Sequence, residues 1–256
     1  MSIEHHAGNP GKAGVVSPET MYQTILELGI VPFFENGVPG YSIEEHTPPR
    51  FWFDGDGAAL GPWDWKIDCV QSGDIAYGKF LLGGKAAFAT VEWYRELLNW
   101  RRSLPKYQPT TDGQRILDYL AHNGSIGIRE VRGLLGVKKS AADAAITRLQ
   151  LQCRVVTGDI LRVYRGEDLH YNGWQTSSFC TPEALFDDAP GSGGGPSGLA
   201  AGLVAGPLGP AGFPFGPAAV GLRVDHSPQE SLERLTAHIR TIVPGITDRQ
   251  LQKLLG

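Results

Sequence analysis

Close cysteine pairs, long apolar runs and a net positive charge are all missing from this chain, and each absence removes a class of protein. Three cysteines stand in 256 residues, Cys69, Cys153 and Cys180, far apart and without a C-x-x-C pair. Such an odd, scattered set gives neither a disulfide framework nor a thiolate zinc site, so buried thiols are expected, with no metal and no cofactor. No apolar stretch approaches the ~20 residues of a membrane span. The opening MSIEHHAGNPGKAGVV has no apolar signal core, so a cytoplasmic location and no membrane partner are expected. His5 and His6 fall in that polar, glycine-bearing leader, which reads as a disordered tail rather than a metal site.

The net charge of −4 excludes uniform attraction to nucleic acid, but its distribution is uneven. Residues 95–165 hold 13 Lys plus Arg against 6 Asp plus Glu, a local +7, and the remainder of the chain carries −11. A basic middle between acidic ends fits a domain that faces nucleic acid. With 41% hydrophobic and 20% charged residues, the composition is that of a globular protein with one or two cores.

What is present begins with punctuation. Ser17-Pro18-Glu19 opens a helix that continues through Met21, Ile25 and Leu28. Turn signals at Asn36-Gly37, Pro39-Gly40, Pro48-Pro49 and Asp56-Gly57 then separate aromatic-rich runs that read as strands or extended loops. Next comes GPWDWK, residues 61–66. Read as an extended segment, its alternation puts Trp63 and Trp65 on one face and Asp64 and Lys66 on the other. The expectation is one indole in the core and one lining a cleft, where it stacks on a planar group such as a nucleobase, with Lys66 at the rim for a phosphate. Asp54, Asp56 and Asp64 supply acid/base groups nearby, although Asp54-Gly55-Asp56-Gly57 reads first as a turn. A small antiparallel sheet turning at Gly83-Gly84 and a helix over TVEWYRELLNWRR follow.

Residues 110–165 carry the clearest pattern. Thr111 and Gln114 read as a capping box, Ile116, Leu117 and Leu120 as an apolar face, and Asn123-Gly124 as a stop. A second short helix ends at Gly136, and a third begins near Ser140 and Asp143 with Ile146 and Leu149 inward. RVVTGDILRVY then reads as a hairpin turning at Gly158-Asp159, and EDLHYNGWQTSSFC returns strand material to the sheet. Three helices and a hairpin predict a winged helix-turn-helix whose third helix lies in the DNA major groove. Lys138, Lys139 and Ser140 bring cations and backbone N–H groups to that helix's N-terminus, suited to phosphate. Thr147, Arg148 and Gln150 extend the surface, and Arg101 and Arg102 add positive charge. The same scaffold also serves protein–protein contacts.

A short helix is expected from Thr181-Pro182-Glu183. Residues 190–221 then hold 11 Gly and 6 Pro among 32 positions, too little burial to repay ordering, so a flexible linker is expected. Ser227-Pro228-Gln229-Glu230 opens another helix, and ITDRQLQKLLG starts a last one. This pair either docks a protein partner or folds back on the body.

The run from GPWDWK to LLNWRR, followed by TTDGQRILDYLAHNGSIGIREVRGLLGV, resembles the AlkZ/YcaQ family of winged-helix DNA glycosylases, and more closely its short AlkZ-related members. The resemblance covers roughly residues 20–185 and rests on Trp63, Trp65, Lys66, Gly73, Tyr77, Gly78, Lys79, Phe88 and the second helical unit. It implies tandem winged-helix modules, double-stranded DNA as partner and DNA repair as the process. Family glycosylases carry a Q-x-Q or Q-x-D motif, upstream of the segment resembling residues 61–102, that positions the hydrolytic water. Here that region has only Gln23. Gln150-Leu151-Gln152 has the letters but ends the third helix of the later unit, where a cap or surface contact is expected, so no catalytic residue is assigned.

The predicted architecture is α+β: tandem winged-helix-like modules with small antiparallel sheets, plus a linker and C-terminal helices. Its boundaries are a leader over 1–16, an aromatic-rich domain over 17–105, a winged helix-turn-helix over 106–188, the linker over 189–224 and a helical segment over 225–256. The leading functional expectation is a DNA-associated protein of repair or damage recognition. The alternatives are an active glycosylase with a different water-positioning residue and a protein-interaction adaptor that does not bind DNA.

Overall fold

The computed structural model describes residues 14–53, 60–81, 83–187 and 221–256. The leader with His5 and His6, the Asp54–Asp56 turn and nearly all of the Gly/Pro tract lie outside them.

The chain opens on α1 (Pro18–Leu28), which starts where local chemistry predicts: Ser17 accepts from the Thr20 N–H, Thr20 answers in a reciprocal capping box, and Pro18 takes the first turn. Gly29 ends it at φ +66, where a Cβ would fall 2.2 Å from Trp93, so backbone and space both require glycine. Then come β1 (Ile30–Pro32), α2 (Ile43–His46), α3 (Arg50–Phe53), α4 (Pro62–Gln71), β2 (Ile75–Gly78) and β3 (Ala87–Thr90). The strands form an antiparallel sheet in the order β1-β3-β2. Phe88 sits opposite both Val31 and Tyr77.

Two expectations fail here. The aromatic run after β1 contains the short helices α2 and α3 rather than strands; Ser42 caps α2 by accepting from the Glu45 N–H. GPWDWK is the first turn of α4, not a strand: Gly61 is the cap and Pro62, which needs no N–H partner there, begins the helix. Pro62, Trp65, Lys66, Cys69 and Val70 are buried at helical spacing. Four alternating residues fit either period, and the ten-residue stripe decides. Trp63 and Trp65 therefore stand about 200° apart around the helix rather than on one face.

After α5 (Val91–Ser103) and a 3-10 turn over Pro105–Tyr107, a similar order returns with one helix fewer between the first and second strands: α6 (Thr111–Asn123), β4 (Ile126–Gly127), α7 (Ile128–Leu135), α8 (Lys139–Leu151), β5 (Val156–Arg165) and β6 (His170–Cys180). The strand order β4-β6-β5 repeats that of the first sheet. The cap of α6 is Thr110, one residue before the expected position. Gly124 and Gly136 end α6 and α7 as expected. The hairpin departs more. Gly158-Asp159 is a bulge inside β5, where a Cβ on Gly158 would meet the Cys180 Sγ at 2.9 Å, and the turn falls at residues 166–169. The hairpin is thus twice as long as RVVTGDILRVY suggested.

Past α9 (Pro182–Phe186), α10 (Pro228–Ile242) and α11 (Asp248–Leu255) fold back on the body. Along α5, the buried Glu96 carboxylate accepts from the Ser231 hydroxyl at 2.6 Å, meets the His226 ring at 2.7 Å and pairs with Arg234 at 3.2 Å. His238 stacks on Trp93 with centroids 3.6 Å apart. Burial lowers the pKa of that imidazole, and its hydrogen bond to the Leu28 carbonyl opposes the shift.

Two apolar clusters result. The larger joins α1, the first sheet, α4 and α5 to Leu235, Ile239, Leu251, Leu254 and Leu255 of the C-terminal helices, and to Val156 and Ile160 at the base of β5. The smaller is built on Ile116, Leu120, Ile126, Val131, Ile146, Leu149 and Phe179. The three cysteines are buried and unpaired, and burial pushes their thiols up. Among the described residues, no helix is long and apolar enough to cross a membrane.

Candidate nucleic-acid interface

The GPWDWK residues line a closed seam, not an open cleft. Trp65 is 5% exposed and packs edge-on against Phe51 at 5.2 Å, whereas Trp63 remains 44% exposed. Between them the β5–β6 hairpin covers the charged pair. The Asp64 carboxylate accepts from the Tyr171 hydroxyl, from Gln175 Nε2 at 3.3 Å and from Arg162 Nε at 3.4 Å. Lys66, expected at a rim, is 2% exposed; its ammonium donates to the Trp63 carbonyl and to Gln175 Oε1, and lies 3.5 Å from the Trp63 ring centroid. Trp63 Nε1 donates to the Gly173 carbonyl, and Gln71 to Asp159 and the Ile160 carbonyl. Desolvation lowers the Lys66 pKa to about 7, against the pull of Asp64.

Sequence reading missed Arg162, Tyr171 and Gln175. Their signal is faint: Tyr171 and Gln175 share a strand face by alternation, but only a correctly placed hairpin turn exposes it.

The second group of expected residues sits on α8. Lys138 is the cap, with no side-chain hydrogen bond to the helix, and Lys138, Lys139 and Ser140 are exposed. Ser140 and Asp143, expected to cap the helix, lie inside it because it starts at Lys139. Ser140, Thr147 and Arg148 fall on one stripe by helical spacing, Thr147 half-buried and Arg148 exposed. The far half of α8 turns into the first unit: Thr147 lies 3.9 Å from where a Cβ on Gly84 would stand. Gln150 is buried, its Oε1 accepting from the Lys79 N–H at 3.1 Å and its Nε2 donating to Thr157. Neither Gln150 nor Gln152 is a surface contact, since both are buried; Gln152 is the C-cap of α8, as one of the two expectations had it, with its Nε2 donating to the Gln108 carbonyl.

Arg101 and Arg102 leave the expected interface. Arg101 is 0% exposed, its guanidinium donating to the carbonyls of Phe80, Leu151 and Leu255, which ties α5 to three other segments. Arg102 donates to the Cys153 carbonyl and pairs with Glu183, at 2.5 Å. Burial works against the Arg102 charge, yet Glu183 holds its pKa up while the arginine holds the Glu183 carboxyl down. Both arginines are structural.

Exposed groups concentrate on the outer hairpin: Tyr164, Leu169 and Trp174, the last 59% exposed with the Arg165 guanidinium 5.5 Å from its ring.

Two helix-and-sheet units of like order, joined by a polar seam, define an α+β protein of mixed helices and small antiparallel sheets. A family description, AlkZ related, matches residues 15–192, from the residues before α1 to just beyond α9. The chain belongs to the AlkZ-related family. No curated protein and no solved structure matches it.

Proposed function

We propose that this chain binds double-stranded DNA in repair or damaged-DNA recognition, with residues 17–105 and 106–188 as tandem winged-helix modules and α8 as the helix that meets DNA. The observation that carries this reading is the α8 N-terminus, where Lys138, Lys139 and Ser140 are exposed. The outer hairpin follows the same logic, since Trp174 with Arg165 offers a ring and a cation to a nucleic acid. Family membership supports a DNA-glycosylase-related role.

The test is a panel of undamaged, alkylated and crosslinked duplexes assayed for retention and for free base across about 50–200 mM salt. Retention that weakens steeply with salt, without base release, is the expected result. Retention indifferent to salt, or none, favours the adaptor reading.

A further inference from the structure

From Leu161 to Ser178 the β5–β6 hairpin has no buried residue, and none of its side chains there belongs to either apolar cluster or packs against one. Its hold on α4 is polar. Arg162 Nε donates to Asp64 at 3.4 Å, the Tyr171 hydroxyl donates to the same carboxylate, and the Gly173 carbonyl accepts from Trp63 Nε1 at 3.3 Å. Gln175 joins the acid to the base: its Nε2 faces the Trp63 carbonyl at 3.1 Å and Asp64 at 3.3 Å, while its Oε1 accepts from the Lys66 ammonium. Register shifts between Thr157 and Asp159 and between Arg162 and Tyr164 interrupt the ladder at the root of this stretch and within it, and a strand bends at such bulges. A two-stranded ribbon without an apolar face is marginal in water, so the position of this one rests on those few bonds.

What the ribbon covers is a cation. Lys66 is 2% exposed, its ammonium 3.5 Å from the Trp63 ring centroid. Burial disfavours that charge and Arg162 repels it, whereas Asp64 supports it; the balance brings its pKa down to about 7, against about 10.4 for a solvated lysine. Covering the amine and charging it therefore oppose each other. The other charged or titratable groups around it are Asp64 and Asp68 on α4, Arg162 and Tyr171 on the hairpin, and Glu19 of α1 acting on Asp68. Asp159 is turned to Gln71, and Arg50 of α3 lies over Phe51. Carboxyls titrate on the acid side of neutrality, arginine keeps its proton, and burial moves the Tyr171 phenol up. Between about pH 7 and 9.5 the group that changes charge in this seam is Lys66.

We infer that residues 161–178 form a strap that closes over α4 and is released by a proton taken up at the Lys66 amine. Closed, the strap holds the neutral amine against Gln175; open, it leaves the ammonium to water and uncovers Trp63 and Asp64. The apolar base of the hairpin, Val156 and Ile160, stays in the core, so release is local. One proton links the two positions, so the open-to-closed ratio rises about tenfold for each pH unit lost down to about 7, on the order of a hundredfold from pH 9.5 to 7.5, and is flat below.

The experiment places nitroxides on the full chain at Glu167→Cys in the strap and Gln23→Cys on α1, both exposed; the three native cysteines are buried. The distance distribution between the labels is read at pH 6.5 and 9.5 without nucleic acid, so it stands apart from the DNA reading. A single distance is expected at pH 9.5, and a second, resolved population at pH 6.5. Lys66→Met, which keeps the bulk and removes the amine, should hold the single distance at both values. Gln175→Leu should show the second population at both, with cooperative melting retained, because it removes the bridge and leaves the core alone. One distance at both pH values in the parent chain overturns the proposal. A second population that ignores pH, or that keeps its pH dependence in Lys66→Met, overturns it as well, because the hairpin then moves without that proton.

Discussion

The two units share an order of strands and differ by one helix in the order of elements, yet they present opposite surfaces. In the first, the helix before the hairpin strands, α4, buries its acid and its base under the neighbouring hairpin, and its own strands β2 and β3 are almost wholly interior. In the second, α8 projects Lys138, Lys139 and Ser140 outward, and the hairpin of β5 and β6 runs 10 and 11 residues with its far half exposed. The difference shows that element order fixes what can pack, while side-chain placement fixes what is offered. The hairpin of the second unit packs on α4 through Gln175 and Asp64, and α10 packs on α5 through Ser231 and Glu96. The first unit is thereby largely covered, and the second presents exposed cations and rings.

Breaking the covered unit should have the largest effect. Trp65→Ala removes an indole from the larger cluster and should cost about 3–5 kcal/mol, a fall in Tm of about 10 °C for a chain of this size. Trp63→Ala, which loses a ring on Lys66 and one bond to Gly173, should cost only about 1 kcal/mol. Thermal unfolding of the two variants side by side measures the contrast; equal losses would mean that the seam needs both indoles.

Next in size is the pH response of the buried lysine. Lys66 has its pKa lowered to about 7 in the folded chain by desolvation, against about 10.4 when unfolded. Between these values the unfolded chain binds more protons, so stability rises with pH; below about 7 both states are protonated and the full burial cost is present. Lys66→Met should remove this slope. The wild type is expected to gain on the order of 1–3 kcal/mol relative to the variant between about pH 7 and 9.5, read from denaturant midpoints.

Sharpening the comparison from the other side, Lys138→Ala with Lys139→Ala should leave stability within about 0.5 kcal/mol and flatten the salt slope of duplex binding by roughly two units at most. An unchanged slope would remove α8 from the interface and with it the contrast between α4 and α8.

These unequal roles explain which parts were legible in the sequence. Helix starts at Ser17, Ser227 and Thr247 and stops at Gly124 and Gly136 are set by the residues themselves, because capping bonds span three or four positions. GPWDWK was misread because its four alternating residues are locally ambiguous, and the packing that settles it comes from Phe51 and from a hairpin more than 100 residues away. Gly158-Asp159 has turn composition, but pairing with β6 makes it a bulge. Arg101 counted toward a basic patch, since charge counting does not distinguish a guanidinium spent on three carbonyls from one facing solvent. Local chemistry wrote the elements, and long-range packing chose their faces.

The smallest expected effect concerns the segment that leads from the second unit back to the first. Residues 188–220 leave after Asp187, at the end of α9, and the chain returns at Gly221 and Leu222. Asp187 Oδ1 accepts from the Leu222 N–H at 3.0 Å, so the two ends already meet and the segment has no distance to span. Leu222 is buried, which moves the end of the expected linker before residue 224. Replacing residues 188–220 with about eight Gly/Ser residues shortens a closed loop by two halvings, and loop-closure entropy gives about 0.6 kcal/mol for each. The expected outcome is a gain of roughly 1 kcal/mol, a rise in Tm of a few degrees, with duplex binding unaltered. A fall in Tm instead would mean that the Gly/Pro tract packs against one of the two units, and repeating the replacement in Trp65→Ala and in Lys138→Ala/Lys139→Ala would show which, since the loss adds independently only to changes it does not touch.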